Sequence, residues 1–287
     1  LIFNISGSLN IAVGLGAMRD CISCLDNTAI GHNAMLQAET AAYNTVVGHA
    51  VLNNNINGGE NVGVGDYTLL NDTLSRMNIG IGRFAMLNTM RTTGNIAIGH
   101  SSLYNTEDSY YNITIGHETM FGVNGITSGN EYNVAIGYRS MKGVVASNDK
   151  NISIGRVNSY NINGSSNISI GDSSTYNTTG SNNLVLGNSN SISTASNNVI
   201  IGTGQAVTST GNIVITNGAG LLGYKMLSSG FVGIGNTPTP TQHGHLTGNM
   251  RVTGAYYDSN NEPGTSGQVL SSTVTGTDWI TSTGMAS

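Results

Sequence analysis

Charge is scarce in this chain: Asp, Glu, Lys and Arg make up only 9% of its 287 residues. Ten basic residues against fifteen acidic ones leave a net charge of −5. The basic residues are scattered, whereas a phosphate backbone needs them clustered, so no nucleic-acid partner is expected. No apolar run approaches the roughly 20 residues of a bilayer span, and no membrane insertion is expected. Good helix formers are sparse, glycine recurs throughout, and no 3.6-residue pattern persists, which excludes helices. The only cysteines are Cys21 and Cys24. Without a βαβ context or further ligands nearby, they read as two ordinary thiols or a bond near the chain start. The chain begins at Leu1 with neither Met nor a signal-peptide pattern, as expected of a processed or truncated piece of a longer protein. Catalytic motifs are missing as well. The Gly-x-Gly pairs at Gly14/Gly16, Gly63/Gly65, Gly80/Gly82 and Gly233/Gly235 do not lead into helices and read as turns. Carboxylates are few and lie mostly in loops, which gives a glycosidase cleft poor support. No enzymatic activity and no cofactor are expected.

What the chain has is glycine and asparagine, 40 and 38 residues respectively, arranged around a pentapeptide frame. The frame reads Asn, apolar, small, apolar, Gly, as in Asn95-Ile96-Ala97-Ile98-Gly99 and Asn112-Ile113-Thr114-Ile115-Gly116. Thirteen copies begin at Asn10, Asn27, Asn44, Asn61, Asn78, Asn95, Asn112, Asn133, Asn151, Asn167, Asn183, Asn198 and Asn212. The first seven are 17 residues apart; the later gaps are 21, 18, 16, 16, 15 and 14. A hydrophobic content of 38% with a low net charge argues against disorder. A fixed period of this length marks a stacked repeat. A propeller blade would need about 40 residues.

The frame alternates with the two-residue period of a strand, and its apolar slots are mostly β-branched. Ile96 and Ile98 share one face; Asn95, Ala97 and Gly99 share the other. Four residues past the Gly comes another apolar residue (Met86, Leu103, Met120), which reads as a turn and then a second short strand. Two short strands per 14–17-residue coil predict an all-β, parallel β-solenoid, or β-roll, over residues 1–216. Successive coils should rise about 4.8 Å, roughly 58 Å over the stack. Residues 217–287 read as a neck and a less regular β region. Frame asparagines should hydrogen-bond from coil to coil, and the frame glycine should adopt a positive φ. Spacer positions such as Asn55 should tolerate substitution. Each coil buries only two or three apolar side chains, about 2 kcal/mol each, against about 1–2 kcal/mol per ordered residue. This predicts burial of a second face against other chains, with the small middle residue suited to that contact. A homotrimer is the expected assembly.

The strings NIAIGHSSLYNT (95–106), NITIGHETM (112–120), NVAIGYRSM (133–141) and NISIGDSSTYNTTG (167–180) resemble the head repeats of YadA-like trimeric adhesins. The same repeats occur in tail fibres of phages and large viruses. Phe231 to Pro238, His245 to Gly254, Pro263 to Ser272 and Thr277-Asp278-Trp279 resemble the segment preceding the endosialidase-type intramolecular chaperone of phage tail fibres. The resemblance implies a trimeric β-roll in a virion tail fibre, contributing to host-cell attachment. It also implies two partners beyond the chain itself: a host-surface glycan or protein receptor, and other fibre or virion proteins. The alternative is the head of a bacterial trimeric autotransporter-type adhesin at the cell surface, where the period usually runs shorter.

Three sets of side chains are candidates for chemistry. The slot after the frame Gly holds His32, His49, Asp66, Arg83, His100, His117, Tyr138, Arg156, Asp172, Asn188 and Thr203. It places His over His twice and Asp66 beside Arg83, as either an ion ladder or a solvated polar corner. His243-Gly244-His245 could gather six imidazoles around a metal on a threefold axis, or be ordinary linker. Tyr104, Tyr160 and Tyr176 are candidate glycan contacts, or covers for a thin core.

Overall fold

The computed structural model describes residues 5–122, 129–143, 149–175, 179–192, 194–216, 222–234, 244–246, 257, 265, 268–272 and 277–281. The chain divides into two compact units, Leu1–His245 and Leu246–Ser287. Each of the thirteen frames forms one strand: Ile11–Val13, Thr28–Ile30, Thr45–Val47, Val62–Val64, Ile79–Ile81, Ile96–Ile98, Ile113–Ile115, Val134–Ile136, Ile152–Ile154, Ile168–Ile170, Leu184–Leu186, Val199–Ile201 and Ile213–Thr216. These pair parallel in sequence order and in register, so Ile79, Ile96 and Ile113 are successive neighbours along the stack. The unit is an all-β parallel solenoid, with no helix among the described residues. Irregular gaps of 21 and 18 residues leave the register intact, because the extra residues leave the strands aligned. Parallel stacking ends at Thr216. Leu222–Met226 then pairs antiparallel with Ile213–Thr216, and Val232–Ile234 with Leu222–Met226, so the first unit extends beyond the coils. In the second unit, Gln268–Ser272 and Thr277–Thr281 form an antiparallel pair with Leu270 opposite Trp279.

Strands end at the frame glycine for a steric reason. Gly99 has φ 129°, and a Cβ there would fall 2.3 Å from the Gly116 carbonyl oxygen of the next coil. The segment that follows differs from expectation: in the early coils it is a run of turns, not a second strand. Residues two apart take left-handed φ, as at Phe84 (61°) and Met86 (52°), or Ser101 (53°) and Leu103 (51°). Such conformations cost about 1–2 kcal/mol per residue for a side chain with a Cβ. Hydrogen bonds between coils hold them: Met86 N–H donates to Ser102 O at 2.9 Å and Leu103 N–H to Thr119 O at 2.9 Å. The second β contact of the early coils lies just before the frame Asn, as single bridges from Ser8–Leu25 through Thr93–Tyr110. In the late coils a short second strand does follow the glycine, where Ser191–Ile192 pairs with Ala206–Val207.

The interior is a column of Met18, Met35, Leu52, Leu69, Met86, Leu103, Met120 and Met141, all fully buried. Facing it is the middle residue of each frame strand: Ala29, Val46, Ala97, Thr114 and Ala135 are also fully buried. This corrects the expected direction of packing. The small residue does pack closely, but inside the solenoid: a Cβ at Gly63 would meet Val51 Cγ1 of the preceding coil at 2.5 Å and Leu69 Cδ1 of its own coil at 3.4 Å. Once the Met/Leu column fills so narrow a coil, two branched side chains per strand cannot enter. Ile96 and Ile98 therefore face outward.

The frame asparagines also point inward and form the expected ladder. Asn112 Nδ2 donates to Asn95 Oδ1 at 3.0 Å, and Asn133 Nδ2 to Asn112 Oδ1 at 3.0 Å. Each Oδ1 also accepts the backbone N–H of the next frame Asn, as from Asn112 to Asn95 at 2.9 Å. The spare amide hydrogen reaches a carbonyl, Asn112 Nδ2 to Asn130 O at 2.7 Å. The buried amides are thus satisfied along the stack, as burial requires, up to the last frame, where Asn212 Oδ1 has no next asparagine to bond it. Asn55 corrects a second expectation. It is fully buried, donating to Asp72 O at 2.9 Å and accepting from Gly58 N–H at 3.0 Å, so this spacer position is structural.

Candidate functional site

A solvated sheet usually turns polar residues outward and apolar ones inward. Here the alternation runs the other way. The first and third residues of each frame strand form two outward columns along the stack, and every position in both is Ile, Val, Leu or Thr. Ile113 and Ile115 are each 37% exposed, and Ile168 and Ile170 are 37% and 40% exposed. Ile96 and Ile98 are half-buried by their neighbours. Asn95, Asn112, Gly99 and Gly116 are the frame that aims these columns: the ladder fixes one end of each strand and the left-handed glycine the other. The two columns make a continuous apolar face along the stack.

Past the glycine corner, a second column is built of rings. His32 stacks on His49 with centroids 5.1 Å apart, and His100 on His117 at 5.0 Å. His117 continues to Tyr138 at 5.4 Å. Between the two His pairs, the slot holds Asp66 and Arg83, and Tyr67 and Phe84 from the next position supply the rings instead. The column is therefore unbroken over seven coils. Asp66 lies beside Arg83, as the constant period predicts; the sequence signal for Tyr67 and Phe84 is an aromatic one residue after a charged slot. Asp66 Oδ1 lies 2.9 Å from His49 Nδ1, and its Oδ2 lies 3.6 Å from Arg83 Nε. Further along, burial would raise the Glu118 carboxyl, but hydrogen bonds from Lys142 and Arg139 hold it below the ordinary range. Arg156 likewise lowers Asp172, through a hydrogen bond of 2.7 Å.

The other candidates are less coherent. Tyr104 stacks on Phe121 at 4.7 Å and 2°, which occupies one of its faces. Tyr160 is half-buried in the same column position, and Tyr176 lies outside the described residues. His243 also lies outside them, as does the side chain of His245 within the strand Gly244–Leu246. Among the described residues no three His, Cys, Asp or Glu side chains group as a metal site. No described helix is long and apolar enough to cross a membrane. Cys21 and Cys24 are bonded to each other. No known protein family, curated protein or solved structure matches the chain.

Proposed function

We propose that this chain is a structural and host-attachment segment of a viral tail fibre, assembled as a homotrimer through its outward apolar columns. The observation that carries the reading is the inverted alternation of the frame strands. Thirteen strands in register present only Ile, Val, Leu and Thr to the outside. Removing such surface from water stabilises an assembly by about 25 cal/mol per Å², and identical chains meeting around one axis cover the same stripe on each copy. The repeat strings at 95–106, 112–120, 133–141 and 167–180 give the viral-fibre sense of that assembly. The role is mechanical and adhesive: a stack of hydrogen-bonded coils holds a receptor-facing surface away from the virion.

Sedimentation equilibrium at micromolar concentration tests the assembly, with three times the 29.7 kDa chain mass expected. A single-chain mass would end the trimer. Immunogold labelling of virions tests the location: gold on protruding fibres is expected, and gold confined to a bacterial cell surface would replace the fibre with an adhesin head.

A further inference from the structure

The ring column changes orientation in its middle. Tyr67 and Phe84 lie within 27° of each other with centroids 5.7 Å apart. Each is turned by a near right angle from the imidazole beside it, 76° from His49 and 78° from His100. Tyr67 and Phe84 are thus close to parallel with each other and crossed to the imidazole on either side. Both rings are half-buried, and the charged groups beside them are accessible: Asp66, His49 and Arg83 side chains are 41%, 39% and 58% exposed. The guanidinium of Arg83 lies over the Phe84 ring, 4.3 Å from its centroid, and occupies one of its faces.

We infer that Tyr67 and Phe84, with Asp66 and Arg83, form a carbohydrate-binding platform. A sugar ring has an apolar C–H face and a rim of hydroxyls. An aromatic face suits the first, and the accessible Asp66 carboxylate and Arg83 guanidinium suit the second, the carboxylate accepting and the guanidinium donating. The two rings lie 5.7 Å apart on successive coils, so a linear oligosaccharide lies along the stack with one unit on Tyr67 and the next against Arg83 where it covers Phe84. Adjacent opposite charges leave the platform without the excess of one sign that a polyanion would need. This rests on the host-attachment reading and names its ligand class and a site besides the candidate contacts Tyr104, Tyr160 and Tyr176.

The test is retention of the labelled wild-type protein on an array of neutral and acidic oligosaccharides, beside a Tyr67→Leu/Phe84→Leu variant. Leucine keeps apolar bulk in the column and removes the flat rings. The wild type is expected to retain glycans sharing one linkage type, and the variant to lose at least about tenfold in affinity. A Tyr132→Leu control, at a ring pair away from the platform, keeps wild-type binding. Melting midpoint and sedimented mass are measured for all three proteins. Retention of no glycan by the wild type, or equal retention by the double variant, overturns the platform. A trimer that retains no glycan loses the platform and keeps the fibre assembly; a single chain that does retain it, sensitive to the double variant, keeps the platform and loses the trimer.

Discussion

At the scale of single residues, the fold depends on positions where a side chain has one solution. Gly99→Val introduces a Cβ that would sit 2.3 Å from the Gly116 carbonyl, at a φ of 129° that valine does not tolerate. The expected loss is about 3 kcal/mol or more, read as a fall in the thermal midpoint. Asp72 is the opposite case, a residue the fold accommodates poorly. It is fully buried, and neither carboxylate oxygen has a well-formed hydrogen bond. Burial pushes its carboxyl well above the ordinary 3.8, and the nearby Thr92 hydroxyl opposes that only in part. The folded state therefore holds the proton more tightly than the unfolded one. Below about pH 3.8 both states are protonated and the site carries no ionisation penalty. As pH rises from there through the folded value, the unfolded chain ionises first and stability falls; above the folded value the penalty is constant. Asp72→Asn should thus stabilise the protein by about 1–3 kcal/mol at neutral pH. The substituted amide can repeat the bonds that Asn55 makes one coil earlier. Melts of both proteins at pH 3 and pH 7 check this: the gain should be present at 7 and largely absent at 3. An equal gain at both values would mean that ionisation of Asp72 is not its cause.

At the scale of the strand, the open question in the sequence was direction. Alternation separates Ile96 and Ile98 from Ala97, but it does not say which set is inside. That is decided by the width of the coil, which depends on the Met/Leu column and on the left-handed turns that deliver it. Those turns were not legible, because Met86 and Leu103 are ordinary residues in conformations normally left to glycine or asparagine. The same blindness hid the burial of Asn55 and the platform at Tyr67 and Phe84, both set by turn geometry. What was legible depended on translation alone: the strand register, the asparagine ladder and the stacked His pairs follow directly from a constant period. A pair of substitutions tests the direction of the face. Ala97→Asp places a charge inside the coil without a partner, at a cost of about 3–5 kcal/mol, and should remove the β signal in circular dichroism. Ile113→Asp places the same charge outside. It should leave the strand signal intact and shift the sedimented mass from three chains toward one. If the two variants exchanged phenotypes, the inside and outside faces would be exchanged as well.

At the scale of the whole solenoid, each coil contacts only the coils before and after it, so stability is close to a sum of coil terms and neighbour terms. This has a consequence that a globular core would not share: a complete period can be removed. Deleting residues 78–94 takes out one 17-residue coil and brings Asn95 onto Asn61, Gly99 onto Gly65 and Leu103 onto Leu69, each meeting its own kind of partner or a close one. The ladder, the glycine corner and the buried column all close again. The variant should fold with a thermal midpoint within about 5 °C of the parent, and the solenoid should be shorter by about 4.8 Å. Deleting residues 78–86 removes about half a period and sets strand against turn. The left-handed residues then lose the carbonyls that hold them, and the branched columns no longer align. That variant should lose cooperative melting and its β signal. Small-angle scattering with circular dichroism on both deletions separates the outcomes. Equal damage from the two would mean that long-range contacts, not the repeating neighbour interface, hold the coils together.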